Sequence, residues 1–301
     1  MRWVVLLLFA ACAAYTHWRG KVRHGFFRQL SDHSTFMSPM NSFVYLFSSV
    51  PSTPYLAPSM FPDLAPIRAQ WKTIRAEAIV SLHEASKIQA VEKYNDIGFN
   101  SFFRRGWRRF YLKWYDRPHP SAVAVCPKTL AILQGIPSVK AAMFAMLPPG
   151  GTLTLHRDPY AGSLRYHLGL DTPNDDGCAI VVDGERYSWR DGEDVVFDET
   201  YLHWAENTTQ KDRIILFCDI ERPMRFRWTQ AVNHAMGVFL MRAAASPNEA
   251  GDRTGGLNRA FKYLYQVRLV GKRLKAWDRT VYYVIKWALF GGIALALFWR
   301  Y

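Results

Sequence analysis

Cys178-Ala-Ile-Val-Val-Asp-Gly-Glu-Arg-Tyr-Ser-Trp189 decides the fold. Two apolar runs are split by Asp183-Gly184, and an Asp-Gly pair tolerates the positive φ angles that a two-residue hairpin turn demands. The same punctuation recurs on either side. Leu164 to Leu170 is a short apolar run upstream; downstream, Arg190-Asp-Gly192 precedes Asp194-Val-Val-Phe-Asp198. Arg213 to Ile220 then carries Ile214, Ile215, Leu216, Phe217 and Cys218 in succession, the pattern of a buried strand. Closely spaced short strands with such turns predict a mainly β core, a double-stranded β-helix of the jelly-roll kind, with flanking helices.

Within this segment stand His156-Arg157-Asp158, His203 and Arg213. In an extended chain residues i and i+2 share a face, so His156 and Asp158 can approach one ion, with a third ligand from a neighbouring strand. Two imidazoles and a carboxylate form the ligand set of non-haem Fe(II) oxygenases. Arg213, ten residues after His203, is positioned to hold an acidic cosubstrate. Each residue alone has a plainer explanation: a capping or surface pair, a satisfied core histidine, a partner for Asp212 or Glu206. Their combination in one hairpin-rich segment favours the metal.

At Cys126-Pro-Lys-Thr129, Leu147-Pro-Pro-Gly-Gly-Thr152, His156-Arg-Asp158, Leu164-Arg-Tyr-His-Leu-Gly-Leu170, Trp189-Arg-Asp-Gly192, Val196-Phe-Asp198, His203 and Arg213-Ile-Ile-Leu216 the chain resembles the aspartyl/asparaginyl β-hydroxylases. Within that family it is similar to the membrane-bound lipid A acyl-chain 2-hydroxylases of Gram-negative bacteria. The resemblance implies a cupin-like Fe(II)/2-oxoglutarate dioxygenase in which His156, Asp158 and His203 hold iron and are catalytic. It also implies that Arg213 binds the distal carboxylate of 2-oxoglutarate and that His167 contacts its other end. Arg165 lies beside them as a cosubstrate contact or as a salt-bridged barrel residue. Some peptide-hydroxylating relatives have glycine at the position matching Asp158, so the aspartate favours the lipid branch. The implied reaction consumes O2 and 2-oxoglutarate, gives succinate and CO2, and hydroxylates carbon 2 of a secondary acyl chain of lipid A. An ornithine-lipid acyl hydroxylase and a peptidyl β-hydroxylase are the alternatives within the family; a lipid- or metal-binding module without catalysis is the alternative outside it.

The chain ends bear on location. Trp3 to Tyr15 is free of polar side chains, extendable to Trp18, and is followed by Arg19, Lys21 and Arg23 with only Arg2 before it. The expectation is an N-terminal anchor over 1–18, the rival reading being a cleaved signal peptide. Val281 to Trp299 is apolar except for Lys286, predicting a second span over 281–299 or an amphipathic helix lying on the membrane. Basic flanks then place the central domain on the cytoplasmic face of a bacterial inner membrane.

A formal net charge of +13 over 301 residues raises nucleic acid as a partner, yet Asp171 to Glu206 carries eleven acidic residues against Arg186 and Arg190. The positive charge collects at the apolar ends and in Phe102 to Tyr115, which interleaves Arg104, Arg105, Arg108, Arg109 and Lys113 with aromatic residues. That distribution favours an anionic lipid such as lipid A and a membrane surface over nucleic acid, with no obligate protein partner indicated. Cys12, Cys126, Cys178 and Cys218 are isolated, without disulfide or zinc spacing. The remaining organisation reads as a Pro-rich juxtamembrane segment with an amphipathic helix at Pro66 to Ile88 (19–93), the dioxygenase domain (94–223) and a basic helical region (224–280).

Overall fold

The computed structural model describes residues 2–89, 106–115, 117–249 and 251–299. Arg104, Arg105 and the first residues assigned to the catalytic domain lie outside them. In chain order the strands are β1 (Tyr55–Leu56), β2 (Arg108–Trp114), β3 (Arg117–Pro118), β4 (Val139–Leu147), β5 (Thr152–His156), β6 (Ser163–Asp171), β7 (Cys178–Val182), β8 (Glu185–Ser188), β9 (Asp194–Phe197), β10 (His203–Asn207) and β11 (Arg213–Glu221). The described helices are α1 (Arg2–Trp18), α2 (Phe26–Leu30), α3 (His33–Phe36), α4 (Ser38–Phe47), α5 (Ala65–Ala69), α6 (Trp71–Gln89), α7 (Pro120–Val125), α8 (Pro127–Gln134), α9 (Arg227–Ala243), α10 (Gly256–Trp277) and α11 (Arg279–Trp299).

Two antiparallel sheets face each other. The larger has the order β1-β9-β6-β11-β4-β2-β3 and the smaller β5-β10-β7-β8. The β7–β8 hairpin turns at Asp183 and Gly184, with φ of 52° and 87°, as the Asp-Gly pair requires. Arg190-Asp-Gly192 behaves differently: it carries the chain from β8 in one sheet to β9 in the other, a crossing rather than a hairpin. Asp191 caps that crossing by accepting from Thr172 N at 2.7 Å.

Strand periodicity sorts the large sheet into two faces. Leu164, Tyr166, Leu168 and Leu170 of β6, with Leu216 and Cys218 of β11 and Phe144 of β4, pack against Ile67, Ile74, Ala78, Leu82, Leu130 and Leu133 of the helices. The residues between them turn inward, so Arg165, His167, Arg213, Phe217 and Asp219 share a cavity with His203 of the small sheet. Ala145, Ile215, Phe197 and Trp189 join Cys178, Ile180, Val182 and Ala205 in a core between the sheets.

The segment read as a juxtamembrane wrap contributes to this core. Leu56, Phe61 and Leu64 are buried in the same cluster as α5 and α6, and β1 pairs with β9.

The terminal helices correct the expectation of a membrane span at each end. Among the described residues, no helix is long and apolar enough to cross a membrane. With 17 residues, α1 reaches only about 26 Å at the α-helical rise, less than a bilayer's hydrocarbon core. Its last turn is moreover committed to the barrel. The 21 residues of α11 include Arg279 and Lys286. Arg19, read as a solvated flanking charge, is buried, with Nη2 2.5 Å from the Asp198 carboxylate. The two-span arrangement built on those flanks therefore loses its support.

Candidate active site

β5 and β10 are neighbours, and their register sets His203 opposite His156, with ring centroids 4.3 Å apart. Each ring is oriented through Nδ1, which lies 2.8 Å from Thr154 O in His156 and 3.0 Å from Tyr201 O in His203. A carbonyl can only accept, so Nδ1 carries a proton in both rings and Nε2 is the atom of each that can ligate a metal. Although burial opposes it, Asp158 beside His156 Nε2 raises the His156 pKa. Asp158 lies two residues beyond the end of β5 and not within it; its backbone N–H donates to Glu199 O at 2.9 Å. Its Oδ1 is 3.5 Å from His156 Nε2. Donor atoms of His156, Asp158 and His203 all fall within 4.8 Å of one another. Burial, reinforced by His156, pushes His203 down to about 4, so it remains a neutral donor at physiological pH.

Arg165, grouped in the sequence with the cosubstrate contacts, is held differently. Its guanidinium lies over the Phe217 ring at 3.8 Å, reaches Asp158 Oδ2 at 2.5 Å, and also pairs with Glu199 and Asp219. Those carboxylates engage the fork, so it fixes Asp158 rather than facing the cavity free. Burial, with the charges of Asp158 and Asp219 nearby, raises Glu199 well above the ordinary carboxylate range. Ser163 Oγ donates to Glu199 Oε1 at 2.7 Å.

Arg213 is the opposite case. At 1% exposure its Nε and Nη2 have no hydrogen-bond partner among the described residues. It lies 4.3 Å from the Trp189 ring centroid and 5.4 Å from that of Trp107. Desolvation lowers it to about 10, which still leaves it charged at neutral pH. Both ring nitrogens of His167 are likewise buried and unpartnered among the described residues. Burial first, then Arg213 and Arg165, hold His167 far below its usual value, hence neutral. Buried polar groups without partners are rare enough to need an explanation. Here they converge on a cavity of about 240 Å³ that also holds the His-Asp-His cluster with Arg165 and Asp219, the rest of its lining being mainly apolar side chains such as Met143, Leu153, Ile180 and Phe217.

Sequence reasoning passed over Glu199, Asp219 and Arg157. Asp219 had a readable signal, a carboxylate inside an otherwise apolar strand. Arg157, between the two clustered residues of its motif, points away from the cavity and donates through Nη1 to Thr16 O at 2.9 Å.

The aspartyl/asparaginyl β-hydroxylase model matches residues 68–223. The chain belongs to the aspartyl/asparaginyl β-hydroxylase family. Membership places it among hydroxylating enzymes, as its motifs led one to expect. It is 34% identical over 181 residues to an ornithine lipid ester-linked acyl 2-hydroxylase of Rhizobium tropici, a match covering 60% of this chain and 64% of that protein. It is 27% identical to human aspartate beta-hydroxylase domain-containing protein 2, over 60% of this chain and 50% of that one. With human aspartyl/asparaginyl beta-hydroxylase the identity is 26%, over 52% of this chain and 21% of the relative. The chain thus spans less than two thirds of each of these relatives. A Pseudomonas putida prolyl-4-hydroxylase aligns at 20% identity and a TM-score of 0.32, covering 52% of this chain and 87% of that chain.

Proposed function

We propose that the chain is an Fe(II)/2-oxoglutarate-dependent dioxygenase that hydroxylates carbon 2 of a lipid acyl chain, with lipid A as the substrate. The observation that carries the cosubstrate is Arg213, a buried guanidinium with no carboxylate partner among the described residues, open to the cavity that contains the His-Asp-His cluster. The donor set fits iron: two imidazoles held by carbonyls through Nδ1, so that Nε2 is the ligating atom of each, and one carboxylate, with room beside them. When bound, iron with 2-oxoglutarate and O2 supplies an oxidant for an unactivated C–H bond, and the balance is one hydroxyl, one succinate and one CO2 per turnover.

In this reading His156, Asp158 and His203 hold the metal. Thr154 O and Tyr201 O fix the two imidazoles through their Nδ1–H groups, and Arg165 fixes Asp158. Arg213 binds the distal carboxylate of 2-oxoglutarate through its planar fork, and neutral His167 offers a hydrogen bond to the cosubstrate without adding charge. Met143, Leu153, Ile180 and Phe217 exclude water and accept an acyl chain. Association with a bilayer surface is supported by the apolar exposure of α1, where Trp3, Val4, Leu7 and Leu8 face outward.

The Rhizobium relative favours a second reading in which the oxidised chain belongs to an ornithine lipid. Mass spectrometry of lipid extracts from cells expressing the wild-type chain or His156→Ala tests both. One added oxygen at carbon 2, seen with the wild type alone, is the expected result, and the lipid bearing it identifies the substrate. Failure to oxidise any lipid, with no succinate formed from 2-oxoglutarate, overturns the proposal.

A further inference from the structure

Outside the barrel, α2, α10 and α11 enclose a groove of about 610 Å³ whose charged lining residues are Arg28, Lys275 and Lys286. No carboxylate lines it among the described residues. The lysines are half-buried rather than extended into solvent. Lys275 Nζ lies 5.6 and 5.2 Å from the Tyr282 and Tyr283 ring centroids. Lys286 Nζ lies 5.6 Å from that of Trp287. Neither ammonium has an ion-pair partner among the described residues, so three cations share a concavity with aromatic walls and no counter-charge. Such a site attracts an anion carrying more than one negative charge.

Two further observations say what the anion is attached to. Apolar surface accompanies it: Phe27, which lines the groove, is exposed, as are Val284 and Ile285 between the lining residues Tyr283 and Lys286 of α11. That is the amphipathic profile of a lipid at a bilayer surface. Arg28 also connects the groove to the catalytic cavity, because its Nη2 donates to Leu155 O at 3.1 Å and Leu155 immediately precedes His156.

We infer that the groove between α2, α10 and α11 binds the phosphate-bearing headgroup of the lipid whose acyl chain is oxidised. The inference rests on the hydroxylase reading and narrows its substrate. An ornithine headgroup carries an ammonium beside its carboxylate, and that ammonium would meet cations with no acid to receive it. A phosphorylated headgroup supplies the missing negative charge.

The test is sedimentation of the full chain with phosphatidylcholine vesicles, with and without phosphatidic acid. Lys275→Gln/Lys286→Gln is compared with Lys72→Gln/Lys128→Gln, which removes equal charge from exposed sites elsewhere. Each lysine at an anionic surface is worth about fivefold, so the groove double should lose roughly 25-fold in affinity for the anionic vesicles. The control double should change little, and neither should change binding to neutral vesicles. If melting shows that the groove double is destabilised, Lys286→Gln alone should still lose about fivefold. Equal losses in the two doubles, or none in the groove double, overturn the inference. Displacement of the vesicles by inorganic phosphate at the phosphatidic acid concentration also overturns it, assigning the groove to a soluble anion. Groove-dependent binding by a wild type that oxidises no lipid supports the headgroup site and counts against the hydroxylase reading alone.

Discussion

Replacing Arg213 by methionine separates a ligand-binding role from a structural one, because the two roles predict stability changes of opposite sign. The guanidinium is buried and, among the described residues, meets no carboxylate and leaves Nε and Nη2 without a hydrogen-bond partner. Buried ionic groups exchanged for apolar ones of similar volume are often neutral or stabilising by about 1–4 kcal/mol. The trend should be stronger where the charge has no partner. Two tryptophan rings offset part of the cost, so the low end applies, about 1 kcal/mol, or a rise in Tm of roughly 2–4 °C. Removing one side of a buried, hydrogen-bonded charge pair costs about 2–5 kcal/mol. The affinity for 2-oxoglutarate should therefore fall by about 30-fold or more. Thermal unfolding with and without 2-oxoglutarate reads both effects. At a hundredfold excess over the wild-type Kd the wild type gains about 2.7 kcal/mol from ligand, while Arg213→Met melts higher than the wild type without ligand and gains about 0.9 kcal/mol or less. A variant that melts lower, or that retains the wild-type ligand shift, refutes the reasoning.

Three other outcomes are expected from the same geometry. Arg165→Ala leaves Asp158, Glu199 and Asp219 without their shared cation, so denaturant unfolding should show a loss of about 3–5 kcal/mol; Arg165→Lys, which cannot fork to three acids, should recover only part of it. Arg19→Ala breaks a buried pair with Asp198 and should cost about 3 kcal/mol, the low end because Arg222 remains 2.7 Å from the same carboxylate. Although burial raises the Asp198 pKa, Arg19 and Arg222 hold it below its usual value. Its contribution is therefore complete above the unfolded value of about 4 and drains as pH falls towards the folded one, and an acid titration of stability should be shallower in Arg19→Ala. Gly169→Ala drives a methyl into the Arg190 carbonyl, where β6 meets the chain crossing between the sheets; backbone cannot yield as a side chain does, so a loss of about 1–3 kcal/mol is expected by thermal melting.

The parts of the fold and site that were legible from sequence are those governed by local rules. Asp183-Gly184 specified its hairpin because few residue pairs accept two positive φ angles; Leu164 to Leu170 read as a short strand, while the division into a helix-facing set and the cavity-facing Arg165 and His167 emerged from the packing. Asp191-Gly192 carries the same local signal and makes a crossing between sheets, because the next strand, β9, pairs with β6 instead of β8. The cluster of His156, Asp158 and His203 could be suspected from residue types, but its proximity depends on the β5–β10 register, a long-range pairing. Arg165 and Arg213 look alike in the sequence, an arginine entering or occupying an apolar strand. What distinguishes them is the presence of Glu199 and Asp219 beside one and their absence from the other, a fact of packing that no spacing encodes.

The N-terminal helix shows how a sound sequence rule fails when a charge is counted as solvated. The rule sums lysines and arginines beside an apolar run, and Arg19, Lys21 and Arg23 satisfied it. Yet Arg19 is enclosed by the Tyr45 and Tyr201 rings at 4.1 and 3.8 Å from their centroids and is paired with Asp198. The backbone N–H groups of Lys21 and Val22 donate to the Asp183 carboxylate at 2.9 and 2.8 Å, tying the chain to the hairpin turn. Arg157 reaches Thr16 O from within the His156-Arg157-Asp158 motif, and His33 Nε2 lies 2.8 Å from Arg157 O. These are contacts of a folded domain, and each would have to break for α1 to leave the barrel. The apolar surface of α1 is therefore fixed in orientation relative to the candidate active site, so any bilayer that receives Trp3, Val4 and Leu7 meets the cavity in one defined attitude.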